Sequence, residues 1–298
     1  MPEQPDLDAY IAALRPLILN RTLTTFELLN PFVLRSVEPP PEALGGCAVV
    51  SLRRIGKRIA VSFDADLFVV IHLMIAGRLL WRGPADKAPG RIALCALQFE
   101  TGRLILTEAG TRRRASVHIE SGENALARHD PGGAEVTAIR LEEFARRLHL
   151  RNRTLKRALT DPHVFAGIGN AYSDEILHAA RLSPVLLTDR LDDDQVSRLF
   201  QACRTTLCDW TTRLTARFTK KFPGPGDVTA FREDFTVHGR FGLPCPACGK
   251  PVQRIRYAEN ETNYCAECQN NGIVLADRSL SRLLKDDWPR NIDEWSSA

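Results

Sequence analysis

The residues with the clearest chemistry are four cysteines near the C-terminal end. Cys245-Pro-Ala-Cys248 and Cys265-Ala-Glu-Cys268 are separated by sixteen residues. In this two-knuckle spacing each CxxC turn offers two thiolates to one tetrahedral ion, and zinc suits that donor set. Four protein ligands leave no open coordination position, so the expected role is structural. Metal binding would supply the folding energy that so short a segment lacks. A redox role for either pair is the competing reading. A second pattern is Gly167-Ile-Gly169-Asn170 ahead of a helical run. It fits a loop whose backbone N–H groups approach a phosphate, or a plain turn between two helices. Basic residues bunch at Arg53, Arg54, Lys57 and Arg58, at Arg112, Arg113 and Arg114, at Arg146, Arg147, Arg151, Arg153, Lys156 and Arg157, and at Lys220 and Lys221. Such clusters line a phosphate-binding groove or form solvated faces.

The composition frames these sites. A 44% hydrophobic and 26% charged chain is ordinary globular protein, and 298 residues allow two domains. No apolar stretch approaches the roughly 18 residues of a membrane span. The N-terminus shows no basic-then-apolar targeting pattern, so a cytoplasmic location is expected. Thiols are kept reduced there, which makes disulfides a poor account of the eight cysteines. Cys47, Cys95, Cys203 and Cys208 stand singly.

The elements that must position these residues can be read coarsely. Leu7, Tyr10, Ile11 and Leu14 recur at helical spacing, predicting a helix over 6–15 that Pro16 stops. The stretch 28–119 is β-rich, with short apolar runs at 49–52, 59–63, 67–73, 92–99 and 104–106 and a hairpin signal at Thr101-Gly102. Regular short strands favour a β-sandwich over a parallel sheet. Helical periodicity follows at 141–148, 154–159, 171–180 and 193–214, and Pro223-Gly224-Pro225-Gly226 closes that section. The expected organisation is α+β: an N-terminal β-sandwich with a flanking helix over 1–120, and a linker over 121–137. A helical domain over 138–240, a cysteine module over 241–272 and a tail over 273–298 follow. Leu280, Leu283 and Leu284 predict a short amphipathic helix in that tail, able to pack on the cysteine module.

Several motifs occur in a fixed order. Pro2-Glu3-x-Pro5 opens the first helix, and Lys57 lies in a basic strand-turn segment. Ala166-Gly-Ile-Gly-Asn-Ala-Tyr172 is followed by Glu175, and Phe235-x-Val237-x-Gly239-Arg240 leads into the four cysteines. In this order and spacing the chain resembles the formamidopyrimidine-DNA glycosylase/endonuclease VIII family, from position 1 to about 269. The resemblance implies a β-sandwich domain joined to a helix–two-turn–helix domain with a four-cysteine zinc finger, holding damaged double-stranded DNA in the cleft between them as a monomer. It implies a glycosylase with abasic-site lyase activity on oxidised or ring-opened bases. Pro2 becomes the nucleophile, Glu3 the acid and Lys57 a phosphate contact that assists. Lys156, Gly169, Asn170 and Arg240 become DNA contacts, and Glu175 an acidic residue near the catalytic centre. Met74, Arg112 and Arg113 would fill the gap left by a flipped base. One structural zinc would sit on Cys245, Cys248, Cys265 and Cys268.

The implied chemistry is physically sound. A small second residue permits removal of Met1, leaving Pro2 as a secondary amine. An α-amino group titrates near about 8, so a fraction is nucleophilic near neutrality. Attack at the sugar C1′ expels the base and leaves a charged iminium, an electron sink that acidifies C2′ and permits elimination of phosphate. Glu3 can protonate the opening sugar ring if burial keeps it protonated. Read singly, Lys57 is a solvated lysine, Glu3 a partner of the helix dipole and Met74 a core residue.

The pattern also breaks. The arginine that the family carries shortly before the third cysteine falls near Asn260, flanked by Glu259 and Glu261, so either the hairpin has another job or a neighbour such as Arg254 or Arg256 has taken over. The usual Arg-Arg-Phe loop reads Arg112-Arg113-Arg114-Ala115 and lacks its aromatic. A lyase of different or narrower lesion range, and a non-catalytic damaged-DNA binder on the same scaffold, therefore stand as alternatives.

Overall fold

The computed structural model describes residues 1–298 except 87–88, 111, 220, 230, 258–259, 278–287 and 296–298. The chain divides into two compact units: Met1–Pro131 with Asp209–Thr229, and Gly132–Cys208 with Ala230–Ala298.

The first unit opens with helix α1, Gln4–Ile18, whose Leu7, Tyr10, Leu14 and Ile18 are buried. The helix runs through Pro16 rather than stopping there. Proline lacks only the N–H that would reach back one turn, and so late in the helix the packing of Leu14 and Ile18 offsets that loss. Strands β1 (Leu23–Leu28), β6 (Ala93–Phe99), β7 (Gly102–Glu108) and β5 (Gly77–Arg82) form one antiparallel sheet in the order β1-β6-β7-β5. Strands β2 (Val49–Ile55), β3 (Arg58–Phe63), β4 (Leu67–His72) and β8 (Ser116–Ser121) form the other, in the order β2-β3-β4-β8. Alternate residues such as Ile59, Val61, Phe63, Leu97, Phe99, Leu104 and Leu106 share one core with α1, which is the β-sandwich expected. Ala60, Phe68 and Val70 point to the opposite face and are covered by Leu126. Leu126 belongs to α2, Glu123–Ala127, so the stretch read as a linker carries a packed helix. The β6–β7 turn is Glu100-Thr101, with Phe99 paired to Gly102. A Cβ on Gly102 would lie 2.5 Å from the Trp81 ring.

The second unit contains α3 (Leu141–Leu148), α4 (Leu155–Thr160), α5 (Asn170–Ala179) and the first part of α6 (Asp193–Phe218). Its helical core centres on Phe144, stacked on Phe165 with ring centroids 4.7 Å apart and tilted against Phe200 at 5.2 Å. Strands β9 (Gln253–Tyr257) and β10 (Asn260–Tyr264) make a hairpin, followed by α7 (Ala266–Asn270). The tail packs on this module: Val274 and Ile292 share a small core with Ile255, Tyr264 and Ala266, and Leu275, Trp288 and Trp295 lie against it. Trp295 belongs to α8, Ile292–Trp295. The predicted helix at Leu280, Leu283 and Leu284 lies outside the described residues.

Phe144 is fully buried between two aromatic neighbours. Phe144→Ala should therefore cost about 3–5 kcal/mol, read as a lowered urea midpoint at unchanged slope.

Candidate functional site

In the first unit, the N-terminal residues are held with little freedom. Glu3, 3% exposed, is the N-cap of α1. Its backbone N–H donates to the Asp6 carboxylate at 2.9 Å, and its own carboxylate accepts from the Asp6 backbone. This reciprocal capping box fixes the direction in which the chain enters the helix. Pro2 is buried beside it. Burial lowers the Met1 amine below its ordinary value, Glu3 opposes that shift, and the cations of Arg78 and Lys57 reinforce it. Lys57 stands in the two-residue turn between β2 and β3. Pro2, Glu3 and Lys57 are thus brought to one corner of the β-sandwich. Arg78, which the sequence did not single out, stands with them.

His72, at the end of β4, pairs across the sheet with Arg58 and Ser116. Burial, then the cations of Arg58 and Lys57, push its imidazole down to about 4.

Two further loops carry the candidate gap-filling residues. Met74 lies in the tight β4–β5 turn closed by a Gly77 N–H to Leu73 carbonyl bond of 2.9 Å. Its φ of 52° is left-handed, and its side chain is half-buried, so it is a turn residue and not part of the core. Arg112 and Arg113 are exposed in the β7–β8 loop, where Arg113 donates to the Arg91 carbonyl and the Glu108 carboxylate ties down the N–H groups of Arg114 and Ala115. Thr111 lies outside the described residues. An ideal Cβ on Gly110 would be 3.6 Å from the Ala76 Cβ, which puts the two loops side by side.

In the second unit, α5 organises everything else. Gly169 is its N-cap and Gly167 just before it has φ +76°, a conformation that glycine adopts at no steric cost. The Asn170 side-chain amide donates to the Glu261 carbonyl of β10 at 2.8 Å. Asp174 is essentially inaccessible and accepts from Lys156 Nζ, from the Asn263 backbone N–H at 3.1 Å, and contacts His238 Nδ1 at 2.7 Å. Glu175 accepts three backbone N–H groups, from Thr236, Val237 and His238, at 2.7–2.9 Å. His178 Nε2 lies 3.3 Å from Cys245 Sγ.

Two of the expected site residues have partners within the unit. The Lys156 side chain is 13% exposed. An ammonium that deep needs a carboxylate, and Asp174 supplies it, while a second bond reaches the Asn170 carbonyl. Glu175 is spent on backbone amides and anchors the segment that carries Gly239 and Arg240. Arg240 itself is half-buried and donates to the Glu233 carbonyl at 3.3 Å. Asp174 was missed by sequence reasoning; the signal was a second carboxylate on a helix otherwise read as apolar.

The four thiolate sulfurs lie within 4.8 Å of one another, with Cys248 and Cys265 at 3.4 Å and Cys245 and Cys268 at 4.0 Å. Zinc–sulfur bonds of about 2.3 Å in a tetrahedron require sulfurs about 3.8 Å apart, so the residues fit the ion. Of the hairpin arginines, Arg254 is stacked over the Phe241 ring at 4.1 Å and pairs with Glu261, whereas Arg256 is exposed. Glu259 lies outside the described residues. The tail braces this module through Phe241 against Trp295, Trp295 against Trp288, and a Lys250–Asp293 ion pair.

Residues 1–117 match the formamidopyrimidine-DNA glycosylase N-terminal domain, residues 131–212 its H2TH domain, and residues 242–271 the zinc finger found in FPG and IleRS. A formamidopyrimidine-DNA glycosylase of Heliobacterium modesticaldum is 31% identical over 279 residues, covering 90% of this chain and all of that one. The crystal structure of MutM (Fpg) from Thermus thermophilus matches with a TM-score of 0.75 at 28% identity, over 90% of this chain and 98% of that one. Fpg of Lactococcus lactis in complex with abasic-site DNA matches with a TM-score of 0.80 at 22% identity, over 90% and 99%; at that identity the likeness is one of fold. The four-cysteine cluster and the matching finger together make this a structural zinc site.

Cys265→Ser should release zinc, measured by metal analysis of the purified protein. A chain ending at Gly272 should keep its zinc but surrender it to a chelator several times faster, since the tail's small core is gone. His72 stays neutral in the folded chain while an unfolded histidine protonates below about 6.5. Stability should therefore fall as pH drops from 6.5 towards 4. His72→Gln should flatten that stretch of the urea-midpoint curve.

Proposed function

From the premise that this chain belongs to the formamidopyrimidine-DNA glycosylase family, we propose that it excises damaged bases from DNA and cleaves the strand, with Pro2 as nucleophile. The observation that carries the reading is the N-terminal corner: a buried Pro2 beside the immobilised Glu3 side chain, where burial and the Arg78 and Lys57 cations lower the pKa of the Met1 amine. With Met1 removed, the same burial acts on the Pro2 nitrogen and enlarges its neutral fraction at pH 7.

The nitrogen lone pair attacks C1′, the glycosidic bond breaks, and the base departs with the proton that the amine sheds. Glu3 gives its proton to the sugar ring oxygen as the ring opens. The resulting iminium carries its charge at every pH, because a secondary amine leaves no N–H to lose. It draws electrons from the C2′–H bond, and loss of that proton expels the 3′-phosphate. Lys57 offsets the charge on phosphate during that step.

The remaining residues hold DNA or hold those that do. Gly169 and Asn170 meet the backbone at the start of α5, with Lys156 and Asp174 as positioning residues behind Asn170. Glu175 positions the 236–240 segment and, through it, Arg240. Arg256, exposed on the hairpin, takes the phosphate contact for which Asn260 has no charge. Met74, Arg112 and Arg113 occupy the gap left by the extruded base, whose removal from the stack costs a few kcal/mol.

Borohydride reduces an iminium to a stable amine, so incubation with abasic-site duplex should leave a covalent protein–DNA adduct. Pro2→Gly, and a chain that retains Met1, should each lose it. A wild-type protein that binds the duplex yet gives no adduct is the non-catalytic binder, and the proposal fails.

A further inference from the structure

We propose that Phe32 is a base-stacking residue: a nucleobase of the bound DNA packs on its ring, in the pocket that the ring shares with Arg113. The inference rests on the DNA-binding reading above and adds a contact to it.

Phe32 is 81% exposed, although its ring is one of the largest apolar groups in the chain. The turn that presents it is built to hold it there. Asn30 Oδ1 accepts the Phe32 N–H at 3.1 Å, Pro31 fixes the first position of the 3-10 turn Pro31–Val33, and Val33 is anchored in the core. The Asn30 N–H in turn donates to the Leu94 carbonyl of β6 at 2.8 Å. A backbone mounted this way needs no ordering on binding, which lowers the cost of a contact made by its side chain.

The surroundings identify the occupant. Phe32 lines a pocket of about 540 Å³ with Asn30, Leu94, Gly110, Arg113 and Ala115. Gly110 also abuts the β4–β5 turn, where Ile75 is 57% exposed. One end of the first unit therefore gathers an exposed aromatic ring, an exposed aliphatic side chain and the exposed cations of Arg112 and Arg113. Apolar faces beside positive charge suit a ligand that alternates flat apolar rings with phosphates, which is a nucleic-acid strand. The 112–115 loop holds three arginines and an alanine, so its cations supply charge while the ring comes from a different element.

Loss of base stacking on an aromatic side chain weakens binding by roughly 5- to 150-fold. Phe32→Ala should fall in that range on a duplex bearing a tetrahydrofuran abasic analogue, with an unchanged thermal midpoint and an unchanged slope of log K against log salt, since no phosphate contact is removed. Phe32→Trp should keep wild-type affinity and add an emission that the duplex quenches, over and above the wild-type signal. If Phe32→Ala binds within twofold of wild type, or the added tryptophan is unmoved by saturating duplex, the inference is overturned while a wild-type borohydride adduct leaves the proposed reaction standing. Failure of the wild-type protein to bind the duplex at all overturns both.

Discussion

The second unit depends on one buried carboxylate. Asp174 holds the Lys156 ammonium from α4, the His238 ring from the segment before the zinc module and the Asn263 amide from β10. A buried charge is tolerable only when its partners satisfy it, and removal of one partner leaves the rest uncompensated at a cost of about 3–5 kcal/mol. Asp174 is thus less a contact than a constraint, because three separate segments can be in place only together. Asn170 and His178 lie four residues to either side on the same face of α5, reaching Glu261 and Cys245. Glu175, one residue on, gathers three amides. A ten-residue helix therefore fixes where the zinc module begins, how its hairpin lies, and which backbone atoms stand at its own N-terminus.

How much of this was legible depends on the range over which each residue acts. The metal site was plain because both CxxC turns are local and their chemistry admits few other uses. The α3 and α6 helices were legible from periodicity, and the β-sandwich from the spacing of short runs. Strand β1 fell before the stretch read as β-rich, and β5 and β8 were seen only as part of it, since Leu23–Leu28 and Gly77–Arg82 mix polar and apolar residues in a way that pairing, not propensity, resolves. Charge was the least legible quantity. Arg54 is matched by Asp8, Arg53 by Glu123, and Arg146 and Arg147 both by Glu143. Basic residues that looked alike in sequence thus include ion-paired ones as well as the exposed 112–114 run. Lys156 and Asp174 are eighteen residues apart, and no local pattern announces that they meet.

The zinc module shows the same division of labour between chemistry and packing. Four thiolates hold the knuckles, yet the hairpin also shares a core with residues on both sides of the undescribed part of the tail. Asp277, buried, accepts the Arg256 N–H, and the Tyr264 hydroxyl accepts that of Leu275 at 2.7 Å. The strand that displays Arg256 is held from behind by a segment that lies beyond the matched finger.

The left-handed backbone at Met74 restricts what this corner of the molecule can become. A β-branched side chain at φ 52° would crowd its own carbonyl, so valine, isoleucine and threonine are unwelcome there, while long unbranched residues and asparagine are admitted. Position 77 is restricted to glycine as well, because an added Cβ there would lie 2.3 Å from the Leu73 carbonyl oxygen. Variation at position 74 is thereby channelled into supple or amide-bearing side chains, so this turn offers a narrow chemical alphabet at its tip.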